Sequence, residues 1–319
     1  MESEESIGLD LGGTKLATGV VDGEGRVAWS DEVPSSGYSQ EGVVDLLAEA
    51  IERARGVRPE ARIAGIGIPA RVDFATGHAV GTVNLDLEDV PVRDMVSERS
   101  GIPVFVDNDA NLAMLAEAVH GAARGTRNAL MLTIGTGIGG GVWIDGELYR
   151  GATGSAGELG HVVVDPDGPR CQGNCPGRGC VEAFASGTAI GERGREVARA
   201  EPDSALGRIA AEGTAITAVE VGRAARDGDQ AAAGILDRAG RMLGVALVSL
   251  ANAFEPEVIV VGGGGMALGD LLLDPAREEL AGRALDPMSS TPVVAAELGP
   301  EAGMIGAATL ARMESRRAA

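Results

Sequence analysis

Three glycine turns hold the residues best suited to handle a phosphate. Leu11-Gly-Gly-Thr-Lys15 follows a short buried strand over 7–10, Gly135-Thr-Gly-Ile-Gly-Gly-Gly141 follows one over 129–134, and Gly262-Gly-Gly-Gly265 follows one over 258–261. Adjacent glycines let a backbone approach an anion with no Cβ in the way, and their N–H groups then point at it. Thr14 adds a hydroxyl and Lys15 a positive charge. Asp10, at the end of its strand, could hold Mg²⁺ through water. The plainer alternative is a tight turn with Asp10 as a local acceptor. Walker A and the dinucleotide fingerprint both need a helix directly after the glycines, and here strands follow.

A second group of residues suits hydroxyl chemistry. Asp109, in Asn108-Asp109-Ala-Asn111, stands where the buried strand 104–107 gives way to a helix, a favoured ligand position in α/β folds. A carboxylate there could orient a hydroxyl and take its proton late in a phosphoryl transfer; it could equally be a helix N-cap. Glu158 and His161, spaced i and i+3, share a face on one helical turn. They suit a pair of adjacent hydroxyls, or are a solvated Glu beside a structural His.

The third group is metal-like. Cys171, Cys175 and Cys180 are the chain's three cysteines. An odd, clustered set in a reducing compartment reads better as ligands than as disulfides. With His161 they make Cys₃His, a structural zinc set with no open position for catalysis. Three packed free thiols are the alternative.

Two similar halves present these residues. Residues 7–29 run strand, glycine turn, strand, Asp22-Gly turn, third strand. Residues 129–147 repeat the plan through the turn at Asp145-Gly. Such a duplication, each half followed by helices, predicts two α/β lobes with a cleft between them. Helical spacing covers 42–55, and 230–254 carries a sustained stripe stopped by Pro256. Thr217-Ala-Val-Glu220 is a capping box. A closing helix is predicted over 301–313, followed by a polar tail.

Composition narrows the partners. The 319 residues are 45% hydrophobic and carry a net charge of −20, which disfavours nucleic acid and anionic membranes. Lys15 is the sole lysine; codon bias explains the arginine excess but not why the one lysine sits in a Gly-Gly-Thr-Lys turn. The acidic start and the absence of a long apolar run predict a cytoplasmic protein.

Taken together, Asp10-Leu-Gly-Gly-Thr-Lys15, Asn108-Asp109-Ala-Asn111, Gly135 to Gly141, Glu158-Leu-Gly-His161 and the cysteine cluster resemble the ROK family of bacterial sugar kinases and repressors, over about residues 7–310. The resemblance implies an α/β, two-lobed, actin-like (ribonuclease H-like) ATPase fold. Residues 1–120 plus 303–319 would form the small lobe, and 121–302 the large lobe with the zinc loop and nucleotide site. It implies that Asp10, Gly12, Gly13, Thr14, Lys15, Thr136 and Gly137 flank the phosphates of ATP, with Gly263 and Gly264 near the adenosine. Asp109 aligns with the catalytic base. Asn84, Asn108, Glu158, His161 and Glu182 align with sugar ligands. The zinc set would be His161, Cys171, Cys175 and Cys180.

Two departures stand out. Ala70 replaces a glycine in Gly67-Ile-Pro-Ala-Arg-Val-Asp73, and Cys171 lies two residues further out than the family's first cysteine. The implied activity is ATP- and Mg²⁺-dependent phosphorylation of a hexose, glucose first, at its 6-hydroxyl, with the lobes closing over the sugar. N-acetylmannosamine, N-acetylglucosamine, fructose and allose are alternative acceptors, and polyphosphate is an alternative donor. The family's repressors carry an N-terminal helix-turn-helix, for which a first strand at Ile7 leaves no room. A homodimer is compatible with the family, although the sequence offers no interface.

Overall fold

The computed structural model describes residues 5–82 and 87–318. The chain opens as an antiparallel meander of β1 (Ser6–Leu11), β2 (Lys15–Val21) and β3 (Val27–Pro34). α1 (Gln40–Val57) follows, started by the Ser39 side chain accepting the Gly42 N–H at 3.3 Å. Then come β4 (Ala64–Ile68), β5 (Ala70–Asp73), β6 (His78–Thr82), α2 (Val92–Ser100), β7 (Val104–Asn108) and α3 (Asp109–His120). β4 lies parallel to β1 and to β7, giving the order β3-β2-β1-β4-β7. β4 is buried along its whole length, as a central parallel strand must be.

The second half repeats the plan. β8 (Ala129–Ile134), β9 (Ile138–Ile144) and β10 (Glu147–Leu148) form its meander. α4 (Glu182–Ala185), α5 (Gly187–Ala200), α6 (Ala205–Ala211), α7 (Ala218–Arg226) and the long α8 (Gln230–Phe254) lead to β11 (Val258–Gly262). α9 (Asp270–Arg283) and β12 (Val293–Ala295) complete it. The strand order is β10-β9-β8-β11-β12, the same path as in the first sheet. The duplication expected from the glycine turns is therefore a duplication of sheet topology.

The last element, α10 (Ala302–Ala318), is longer than the predicted helix, and the supposed polar tail is its final turn. α10 lies directly on the first sheet. A Cβ on Gly8 would stand 1.9 Å from the Met304 carbonyl oxygen, and one on Gly65 1.9 Å from that of Ala307. Only glycine permits backbones to come so close.

The chain divides into two compact units. One holds Met1–Arg127, Gly141–Gly157 and Glu297–Ala319; the other holds Asn128–Gly140 and Glu158–Ala296. Residues 141–157, expected in the large lobe, group with the first unit through three anchors. Gly141 abuts Met114 of α3, Arg150 pairs with Asp107, and Arg317 of α10 pairs with Glu147.

Candidate active site

In the first unit the β1–β2 turn is closed by the Gly12 N–H donating to Lys15 O at 2.8 Å. Ser35, which no sequence motif marks, pins it from outside. Its hydroxyl donates to Gly12 O at 2.7 Å and its N–H to Thr14 O at 3.0 Å. The Lys15 ammonium pairs with Glu32 at 2.6 Å, with both side chains more than half exposed. Asp10, the penultimate residue of β1, sets its carboxylate against the first turn of α10, where a Cβ on Gly303 would come within 2.4 Å of Oδ2. Burial pushes the Asp10 carboxyl up to about 6, against the opposing pull of Lys15. A cation beside it would relieve that cost. Asp10, Gly12, Lys15, Glu32 and Glu301 line a cavity of about 430 Å³.

The second unit carries the other glycine turn. The Gly135 N–H donates to Gly137 O at 2.9 Å, and the Gly187 N–H at the start of α5 donates to Gly135 O at 2.8 Å. Gly135, Thr136, Gly187, Thr217, Val219, Gly264 and Leu268 are among the residues lining a cavity of about 480 Å³. A floor of glycines leaves a smooth slot suited to a flat ring. Gly263 and Gly264 serve different ends here. Gly263 has φ +84° and passes Ile134 too closely for a side chain, whereas a Cβ on Gly264 would meet nothing within 4 Å. Thr188 and Arg195 also line the cavity, and neither belongs to a motif; the only sequence signal was the small-residue start of α5.

Asn108, rather than Asp109, is the N-cap of α3. Its Oδ1 accepts the N–H groups of Ala110 (2.9 Å) and Asn111 (3.1 Å). Its Nδ2 donates to Ala70 O (3.2 Å) and Asp109 Oδ1 (3.0 Å). Asp109 is thus the first helical residue, its carboxylate oriented by Asn108 and close to the helix's positive end. Ala70, at the glycine position of the motif, is buried in β5 and supplies the carbonyl that Asn108 uses. Asn84 lies outside the described residues.

Glu158 and His161 meet on a 3₁₀ turn, Glu158 Oε2 lying 3.9 Å from His161 Nε2. The other ring nitrogen, Nδ1, lies 3.5 Å from Cys171 Sγ. His161 can therefore serve two groups, one with each nitrogen. Cys175 and Cys180 sulfurs are 4.0 Å apart, and all four donor atoms fall within 4.8 Å of one another. A tetrahedral zinc with Zn–S near 2.3 Å needs donors about 3.5–3.8 Å apart, so the set fits with a small contraction. Burial pushes the Cys171 and Cys180 thiols up, a cost that a divalent cation reverses. The displaced Cys171 reaches the cluster because the Arg170–Arg178 bridge and the Cys171 N–H to Gly177 O bond (3.0 Å) fold its loop back. Glu182, buried at the start of α4, touches Cys171 Sγ at 3.5 Å with one oxygen and accepts the Ile138 N–H at 2.8 Å with the other.

The sequence profile of the ROK family matches residues 6–314. The chain belongs to the ROK family. Among ROK relatives, a glucokinase of Streptomyces coelicolor is 40% identical over 96% of this chain and 97% of its own length. A glucokinase of Thermotoga maritima is 39% identical over 95% of this chain and 96% of its own. A solved ROK family glucokinase from Streptomyces griseus, in complex with glucose and AMPPNP, superposes with a TM-score of 0.85 at 37% identity, covering 97% of this chain and 99% of that one. ROK membership brings the actin-like ATPase fold, with which the repeated strand order agrees.

Proposed function

We propose that this ROK protein is a glucokinase that transfers the γ-phosphoryl group of ATP to the 6-hydroxyl of glucose. The observation that carries the reading is the full-length likeness to the glucokinase solved with glucose and AMPPNP. The smooth 480 Å³ slot at Gly264 favours a nucleoside donor over polyphosphate, which has no ring to place there.

Asp109 accepts the hydroxyl proton as the new O–P bond forms and the bond to ADP breaks. Asn108 holds the Asp109 carboxylate and, with Asn84, Glu158, His161 Nε2 and Glu182, binds sugar hydroxyls. The turn from Gly12 to Lys15 and that at Thr136 and Gly137 offer N–H groups to the phosphates, with Gly263 and Gly264 beside the adenosine. Asp10 would hold Mg²⁺ through water, and the ion would spread the charge of the transferring group. Zinc on His161, Cys171, Cys175 and Cys180 would fix the loop that carries His161 and Glu182.

Among the described residues no helix is long and apolar enough to cross a membrane. The proposal places the enzyme in the cytoplasm, where ATP and reduced thiols coexist, and its net charge of −20 argues against a nucleic-acid partner. A homodimer is part of the proposal on family grounds alone.

A coupled assay with ATP and a panel of hexoses tests it. The highest kcat/KM is expected with glucose, at least tenfold above N-acetylmannosamine, N-acetylglucosamine, fructose and allose. A better acceptor in the panel replaces glucose, and no turnover with any sugar overturns the kinase reading.

A further inference from the structure

Asp107 precedes the Asn108-Asp109 pair and is 1% exposed. Its Oδ1 accepts the Asn108 N–H at 2.8 Å and Asn111 Nδ2 at 3.1 Å. Its Oδ2 accepts Arg150 Nε at 2.7 Å. The Arg150 guanidinium stacks over the Phe74 ring, 3.8 Å from its centroid. Phe74 follows β5, whose Ala70 carbonyl already holds Asn108. The segment after Arg150 also lies on β5, since a Cβ on Gly154 would come within 1.9 Å of Val72 O. Arg150 therefore joins three pieces of the first unit: the end of β7, the β5–β6 hairpin and the 150–157 connection. Asn111, the fourth residue of the Asn-Asp-Ala-Asn motif, clamps Asp107 from α3.

We infer that Arg150 and Asp107 are positioning residues for Asp109, fixing the end of β7 from which its carboxylate and the Asn108 amide project. This inference rests on the proposed role of Asp109. The chemistry explains the residue types. A buried carboxylate needs its charge matched and its lone pairs filled. An arginine does both while presenting a flat face to an aromatic ring. A lysine has the charge but neither the plane nor the Nε donor. Small displacements of a reacting group cost rate steeply, so the pair's effect falls on turnover and on the sugar it faces.

The test compares Arg150→Lys, Phe74→Leu and Asp109→Asn by steady-state kinetics, with thermal melts to count folded protein. Phe74→Leu removes only the stack and leaves the ion pair in place. Per folded molecule, Arg150→Lys is expected to lower kcat about tenfold or more and to raise the glucose KM several-fold. The ATP KM should stay within about twofold. Phe74→Leu should show the same pattern at about threefold. The inference is overturned if both variants keep kcat within twofold of the unmodified protein, or if glucose and ATP KM rise together. Asp109→Asn separates the two levels. If it is inactive while Arg150→Lys is unaffected, only this inference fails; if it turns over normally, the base assignment itself fails.

Discussion

The Glu182 carboxylate accepts the Ile138 N–H at 2.8 Å and touches the Cys171 sulfur at 3.5 Å. One side chain thus ties the cysteine cluster to the glycine turn that precedes Ile138. A hydrogen bond to a buried charged group contributes about 1.5–3 kcal/mol, so the coupling should be measurable. The purified protein is expected to hold one zinc per chain. Stripping it should weaken binding of a non-hydrolysable ATP analogue roughly tenfold. Glu182→Ala should show the same loss while keeping its zinc. Elemental analysis and calorimetry check both, and an unchanged analogue affinity after zinc removal counts against the link.

Asp109→Asn keeps the shape of the first turn of α3 but cannot accept a proton as a carboxylate does. General-base loss typically costs a factor of about 10²–10⁴. kcat should fall by that much, while glucose binding, measured by calorimetry, survives within a few-fold.

Gly264→Val offers a steric test of the nucleotide slot. A Cβ there meets no atom within 4 Å, so the fold should tolerate it, yet the new side chain projects beside a cavity lining. The ATP KM is expected to rise at least tenfold, with the melting temperature within a few degrees and the glucose KM little changed.

Gly65→Ala should act in the opposite way. Its Cβ would collide with the Ala307 carbonyl at 1.9 Å, and neither partner is a flexible side chain. Overpacking of this kind costs about 1–3 kcal/mol and can cost more. Urea unfolding should show a loss at or above that range.

His120, the last residue of α3, is half-buried and hydrogen-bonded to Thr309 of α10 at 3.1 Å. Burial, with the Arg312 and Arg124 charges, lowers its pKa below 6.5, and Asp22 opposes them. The unfolded chain therefore binds the proton more readily than the folded one. The stability is fully present above about pH 6.5 and is lost as pH falls through the folded value. The unmodified protein should lose more melting temperature between pH 7.5 and 5.5 than His120→Gln. Equal losses would remove His120 as the cause.

The glycine turns, the meanders and the α8 stripe were legible because each is local: a turn or periodicity is written in adjacent residues. The cap of α3 is Asn108 and not its neighbour Asp109, a choice that residue type leaves open because both Asn and Asp cap well and only geometry separates them. Ser35, Arg195 and the Arg150–Asp107 pair could not be read, because each acts across a gap in sequence that no spacing rule spans. Gly8 and Gly65 are indistinguishable in sequence from ordinary strand residues, and only the packing of α10 against them explains why they are glycine. The sole lysine is expected beside the phosphates, and in the structure its ammonium pairs with Glu32 of the neighbouring strand, a partner that the motif does not reveal.

The way α10 lies on β1 and β4 has a consequence for synthesis on the ribosome. Gly8 meets Met304, so the opening strands cannot acquire their partner until residue 304 has been translated. The unit that holds residues before 128 is completed only by residues from 297 onward. Residues 158–296, by contrast, are contiguous and emerge together. Domains tend to fold as units during translation, so the central unit can settle while the amino-terminal sheet still waits, with one apolar face uncovered, for a helix about 300 residues behind it.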